Sequence, residues 1–130
     1  MIVVDASAVL ELLLRTGKAA AIEARLFGTD TPIHAPHLID LEVAQVLRRY
    51  VRGGEITDAA GRLALEDWLT LPVARHRHDL FLPQVWGLAT SVAVYDAAYI
   101  ALAETLAAPL VTTDARLAKA HGHNAEIEVI

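Results

Sequence analysis

The chain contains no cysteine. Disulfides and thiolate metal sites are thereby excluded, and the composition suits a reducing compartment. Aromatic residues are scarce: Phe, Trp and Tyr make up 5% of the 130 residues. No stacking platform for single-stranded bases is evident, and Trp68, Trp86 and Phe81 are expected to pack inside. Positive charge is not in excess either. Lys and Arg number 11 against 16 Asp and Glu, so the net charge is −5. A whole-chain electrostatic footprint for nucleic acid is missing, and RNA or DNA binding requires a local basic patch, a bound cation or a basic partner. Long apolar runs are also absent. Asp5 and Glu11 interrupt the N-terminal run, which has no basic lead-in and makes a poor signal peptide. The most apolar later stretch, 97–111, contains Glu104 and Pro109 and is shorter than the roughly 20 residues of a membrane span. A cytoplasmic protein without membrane partners is expected.

What is present is an apolar chain. Hydrophobic residues are 55% of it and the mean hydropathy is +0.39. At this length one domain, 1–130, can bury roughly two thirds of its unfolded surface. Residues 2–4, 31–36, 72–77, 109–113 and 126–130 read as short strands. Residues 6–15, 18–27, 38–52, 58–70, 80–91, 96–107 and 115–121 read as helices. The clearest is 38–52, where Ile39, Val43, Val46, Leu47 and Tyr50 keep one apolar face. Gly28 ends the second helix, and Thr57 is an N-cap for the helix at 58–70. Short apolar strands alternating with helices predict a three-layer α/β/α sandwich around a short parallel sheet.

Ligands of such sheets bind beyond the carboxyl ends of the strands. Asp5 follows "IVV", Asp114 follows "LVTT", Asp96 opens the helix after "AVY", and Glu42 sits near the start of the 38–52 helix. Helix N-termini and strand C-termini share one edge of the layer, so these four acids can converge. Two carboxylates 4 Å apart repel by about 4 kcal/mol at an effective dielectric of 20. Such a cluster takes up protons or binds a cation. With oxygen donors alone the expected ion is hard, Mg²⁺ or Mn²⁺. Each acid also has an ordinary reading: Asp5, Asp96 and Asp114 as helix caps, Glu42 as a first-turn acid facing the helix dipole. Asp40 lies about 200° around the helix from Glu42 and cannot share its face, so it reads as a solvated or capping acid. Gln45 and Arg49 fall on the Glu42 side and are candidates for touching phosphate.

The segments "IVVDASAVLELLL", "PHLIDLEVAQVLRR" and "VYDAAYIALAETLAAPLVTTDARLAKA" together resemble the PIN-domain ribonucleases, and within them the VapC-type toxins of toxin–antitoxin pairs. The motifs run nearly end to end, although 53–90 carries none. The family's four acids match Asp5, Glu42, Asp96 and Asp114; its motif hydroxyls match Ser7 and Thr112. The resemblance implies a PIN-like sandwich and a Mg²⁺- or Mn²⁺-dependent endoribonuclease, with RNA loops of tRNA or rRNA as targets. Asp5, Asp96 and Asp114, with Glu42 directly or through water, would hold the ion. Ser7 and Thr112 would orient ligands, or serve merely as a helix-start hydroxyl and a strand residue. A homodimer and a VapB-type antitoxin, joined in a hetero-oligomer, are implied as partners. Val9, Leu10, Leu13, Leu14, Ile22 and Leu26 either receive that antitoxin or simply cover the sheet.

Three other readings remain at this stage. A PIN-type nuclease could process RNA rather than act as a toxin. A silent PIN fold could bind without cutting. "DASAV" also resembles, faintly, the aspartyl phosphatases, but their second acid is replaced by Ser7. "RTGK" at 15–18 lacks the glycines of a phosphate loop. His76 and His78, expected on one strand face, and "HGH" at 121–123 read as surface residues rather than a zinc site.

Overall fold

Three residues, Ile2, Val3 and Val4, are fully buried at the centre of the sheet. Such a strand must be covered on both faces, which explains its unbroken apolar run. The computed structural model, covering residues 1–130, places it as β1 (Ile2–Val4). The others are β2 (Ile33–Pro36), β3 (Val73–His76), β4 (Leu110–Thr112) and β5 (Ile127–Val129). All pair in parallel in the order β3-β2-β1-β4-β5. Ile2 lies opposite Ile33, and Val3 opposite Leu110.

The chain moves outward from β1 to β3, then crosses back to β4. This reversal puts the helices on opposite faces, because parallel crossovers are right-handed. Helices α1 (Ala6–Leu13), α2 (Ala19–Phe27), α3 (Leu38–Arg52) and α4 (Asp58–Thr70) pack together on one face. Helices α5 (Leu82–Leu88) and α6 (Val94–Leu106) cover the other. The α/β/α sandwich expected from the pattern is the observed fold. Residues 97–103 of α6 are all buried, as suits a helix that is apolar all round. No helix is long and apolar enough to cross a membrane.

Local differences from the sequence reading have local causes. The 80–91 segment begins as a 3-10 turn, Asp79–Phe81, before α5. The 115–121 segment is only one 3-10 turn, Leu117–Lys119. Isolated short helices nucleate poorly, and Gly122 at φ 82° reverses the chain soon afterwards. Trp68 and Phe81 are buried, but Trp86 is 81% exposed on α5. His78 lies beyond β3, so it does not share a strand face with His76. His76 instead meets His34 across β2–β3, with Nδ1 of His34 2.8 Å from Nε2 of His76. Val9, Leu10, Ile22 and Leu26 are core residues, while Leu13 and Leu14 are half-buried against the core.

Candidate active site

The reversal between β1 and β4 creates the crevice at which open parallel sheets bind ligands. Asp5 leaves the end of β1 and Asp114 follows the end of β4, one on each side of that crevice. Glu42, in the second turn of α3, and Asp96, the third residue of α6, complete the group. All four line one groove of about 300 Å³, together with Ser7, Arg49 and Tyr99.

Asp5 is both a cap and a site residue. Its Oδ1 accepts the Ala8 backbone N–H at 3.1 Å and the Ser7 hydroxyl at 2.6 Å. Its Oδ2 accepts the Thr112 hydroxyl at 2.5 Å. The two hydroxyls are held in turn: Ser7 Oγ accepts the Thr113 N–H, and Thr112 Oγ1 the Asp114 N–H, each at 3.0 Å. Each hydroxyl has one proton, and both protons go to Asp5. Oδ1 is then filled, while Oδ2 keeps one lone pair for a further partner. The ordinary readings of Ser7 and Thr112 therefore understate them, since both fix the Asp5 carboxylate.

Of the other acids, only Asp114 keeps a capping contact: its Oδ1 accepts the Arg116 backbone N–H at 2.9 Å, in the turn that leads into Leu117–Lys119. Ala93 is the N-cap of α6, and no α-helix begins at Asp114. Asp114 also receives Nε and Nη2 of Arg116, the shortest contact being 2.6 Å. That ion pair holds its carboxyl below the usual range, whereas burial raises Asp5, Glu42 and Asp96. Neighbouring carboxylates push the three further up: Asp96 acts on Asp5 and Glu42, and Asp114 acts on Asp96.

Tyr99 is the residue that motif reading passed over. It is buried on α6, and its hydroxyl donates to Glu42 Oε1 at 2.6 Å. Its place in "YDAAY", one turn after Asp96, was the available signal. Glu11, also unforeseen, lines the groove as a fifth carboxylate. Gln45 does not reach this groove; it is exposed and lines the cleft between α3 and α4 instead. Asp40 is half-buried and partnered rather than freely solvated, and it is not a cap. It accepts Trp68 Nε1 at 2.7 Å and pairs with Arg75 at 3.0 Å, on the opposite side of α3 from Glu42.

The donor set fits a hard divalent ion. All its groups are oxygen donors, three are raised in pKa by burial, and Asp5 Oδ2 has a free lone pair. No three of these carboxylates form a group placed to hold one ion together. Mg²⁺ does not require such a group: it binds through one or two carboxylates and keeps several waters.

Comparison with known proteins gives the same family. The PIN domain model matches residues 2–122. Ribonuclease VapC12 of Mycobacterium tuberculosis is 45% identical over 130 residues, covering 100% of this chain and 99% of that protein. Ribonuclease VapC9 of the same organism is 42% identical over 117 residues, covering 90% and 88%. Among solved structures, M. tuberculosis VapC20, described as a sarcin–ricin loop cleaving toxin, aligns with a TM-score of 0.71 at 17% identity. That alignment covers 95% of this chain and 97% of VapC20. VapBC2 of Rickettsia felis, bound to a promoter DNA fragment, aligns at 0.74 and 12% identity, covering 99% and 98%. The last two speak to the fold alone. By the domain match and the full-length identity, the chain belongs to the PIN-domain family and, within it, to the VapC ribonucleases, the endoribonuclease toxins of toxin–antitoxin pairs.

Proposed function

We propose that this chain is a divalent-metal-dependent endoribonuclease whose centre is Asp5, Glu42, Asp96 and Asp114, with Mg²⁺ or Mn²⁺ as the ion. The observation that carries this is the meeting of four acids, distant in sequence, in one groove at the β1–β4 reversal. Asp5 through Oδ2, Asp96, Asp114 and Glu42 would hold the ion. When bound, it supplies positive charge at the scissile phosphate and lowers the pKa of a water. The chain's own residues set the geometry. Ser7 and Thr112 lock the Asp5 carboxylate, Tyr99 fixes one oxygen of Glu42, and α1 is anchored through the Ala8 N–H. Arg49, on the wall of the same groove, is placed to meet a phosphate oxygen.

The substrate is RNA, at single-stranded loops of tRNA or rRNA. The partners are a VapB-type antitoxin and a second copy of the chain, within one cytoplasmic hetero-oligomer. The names of the full-length relatives support the antitoxin. Exposed Leu80, Leu82, Trp86, Val94 and Tyr95, all between residues 80 and 95, support a protein partner. The whole chain, 1–130, acts as one nuclease domain.

The test is metal-dependent cleavage of RNA by Asp5→Asn and Asp96→Asn, with folding checked by circular dichroism. Loss of several kcal/mol of charge stabilisation corresponds to about a thousandfold drop in rate. Full activity in both variants would overturn the site. Expression of the chain alone should arrest growth, and co-expression of the adjacent open reading frame should relieve it.

A further inference from the structure

The acidic groove adjoins a second one through Asp96, which lines both. The second groove, about 450 Å³, is also lined by Ser91, Arg116, Lys119 and His121. Its charge is of the opposite sense: Asp96 is its one carboxylate, set against the cations of Arg116 and Lys119, with His121 beside them on the wall. Six of the 11 Lys and Arg side chains are paired with carboxylates: Arg25, Arg48, Arg62, Arg75, Arg77 and Arg116. Of the rest, Arg49 borders the acidic groove and Lys119 the second one. Arg116 still has capacity, since Nη1 makes no hydrogen bond and its side chain is 87% exposed.

This edge is held in place. Leu117 is buried beneath the 3-10 turn that carries Lys119. Ser91 Oγ donates to the His121 carbonyl at 2.8 Å and ties the following turn to the end of α5. A phosphodiester chain crossing the carboxylates meets repulsion at every phosphate except one neutralised by a cation. Arg49 can meet a phosphate within the acidic groove, and beyond Asp96 the next positive lining belongs to the second groove.

We propose that Arg116, Lys119 and His121 form a phosphate subsite. It would seat the phosphate next to the scissile one, so that a single-stranded RNA backbone runs from Arg49, over the four acids, to Lys119. The proposal rests on the ribonuclease reading and adds to it a path and a polarity-neutral, sequence-independent grip.

The experiment uses the full chain in Mg²⁺ and a fluorescent oligouridylate of about 12 nucleotides, within usual single-strand site sizes. Anisotropy is read on mixing, between about 50 and 200 mM salt, with RNA cleavage followed in parallel. Lys119→Ala should weaken binding about fivefold and lower the salt slope by about 0.7, one phosphate contact on a single strand. Lys119→Ala with His121→Ala should weaken it further, Lys119→Arg should restore it, and Arg62→Ala on α4 should leave it unchanged. All these positions are exposed, so the fold tolerates the changes. If the wild type cleaves RNA while the double variant keeps its affinity and slope, the subsite is wrong and the nuclease reading stands. An equal loss in Arg62→Ala also overturns the subsite. A wild type that neither binds nor cleaves RNA overturns both.

Discussion

Tyr99 reaches the candidate centre only through Glu42, so it acts as a positioning residue. Its hydroxyl fixes one carboxylate oxygen and leaves Oε2 for other work. Groups that orient a metal ligand typically change affinity or activity 10- to 100-fold when removed. Tyr99→Phe should therefore lower cleavage about 10- to 100-fold and weaken Mg²⁺ binding in calorimetry, while the near-isosteric ring keeps the core filled. Unchanged Mg²⁺ affinity would contradict this. Thr112 makes the parallel case for Asp5. Burial raises the Asp5 carboxyl, and the Thr112 hydroxyl draws it back down. Thr112→Val removes that donor, so the Asp5 carboxylate forms only at higher pH. The acid limb of the pH–rate profile should move upward, and a profile that stays in place would separate Thr112 from Asp5. The four acids and the two hydroxyls were readable from motif and position. The hydrogen bonds were not, because Tyr99 and Glu42 are 57 positions apart and meet only through packing.

Helix α3 shows how one element serves two purposes. Glu42 looks into the acidic groove, and two residues earlier Asp40 looks toward α4 and β3. Its period placed them on opposite sides, and the structure keeps them there. What sequence could not supply was Asp40's company. Trp68, fully buried, needs an acceptor for its indole N–H, and Arg75 lies over its ring at 4.7 Å. Asp40 answers both. Its own side chain is 37% exposed, so the ion pair is partly screened and the stranded indole N–H is the larger loss. Asp40→Ala should cost about 1–3 kcal/mol of stability in urea unfolding. Asp40→Asn keeps an acceptor and should cost clearly less. Cleavage by the folded fraction should match the wild type in both; equal stability losses would mean that charge, not the hydrogen bond, dominates. The same distance from sequence explains Trp86. An aromatic residue is expected inside by habit, but α5 is a short helix covering one flank, and its outer face has nothing to cover it.

For the molecule as a whole, the grouped acids set function against stability. The Asp96 carboxyl makes no hydrogen bond in the chain, and burial and the Asp114 charge both raise it while Arg116 lowers it. A carboxyl whose folded pKa is raised stabilises the fold when protonated, and that contribution is lost as pH rises through the folded value. Asp5 and Glu42 share this sign; Asp114, lowered by exposed Arg116, has the opposite sign but is largely screened. In EDTA, Tm should therefore fall as pH rises above the ordinary carboxyl range. Asp96→Asn, uncharged at every pH, should fall less steeply and melt higher near neutrality. At this chain length each kcal/mol relieved is worth about 4 °C. Mg²⁺ should reverse the trend for the wild type, since a ligand of the native state at 100 times its Kd contributes about 2.7 kcal/mol. It should raise Asp96→Asn much less. The two arms are coupled: the repulsion that lowers Tm without metal is the attraction that binds it. A wild type whose Tm ignores both pH and Mg²⁺ would mean that the four carboxylates do not act as one electrostatic centre.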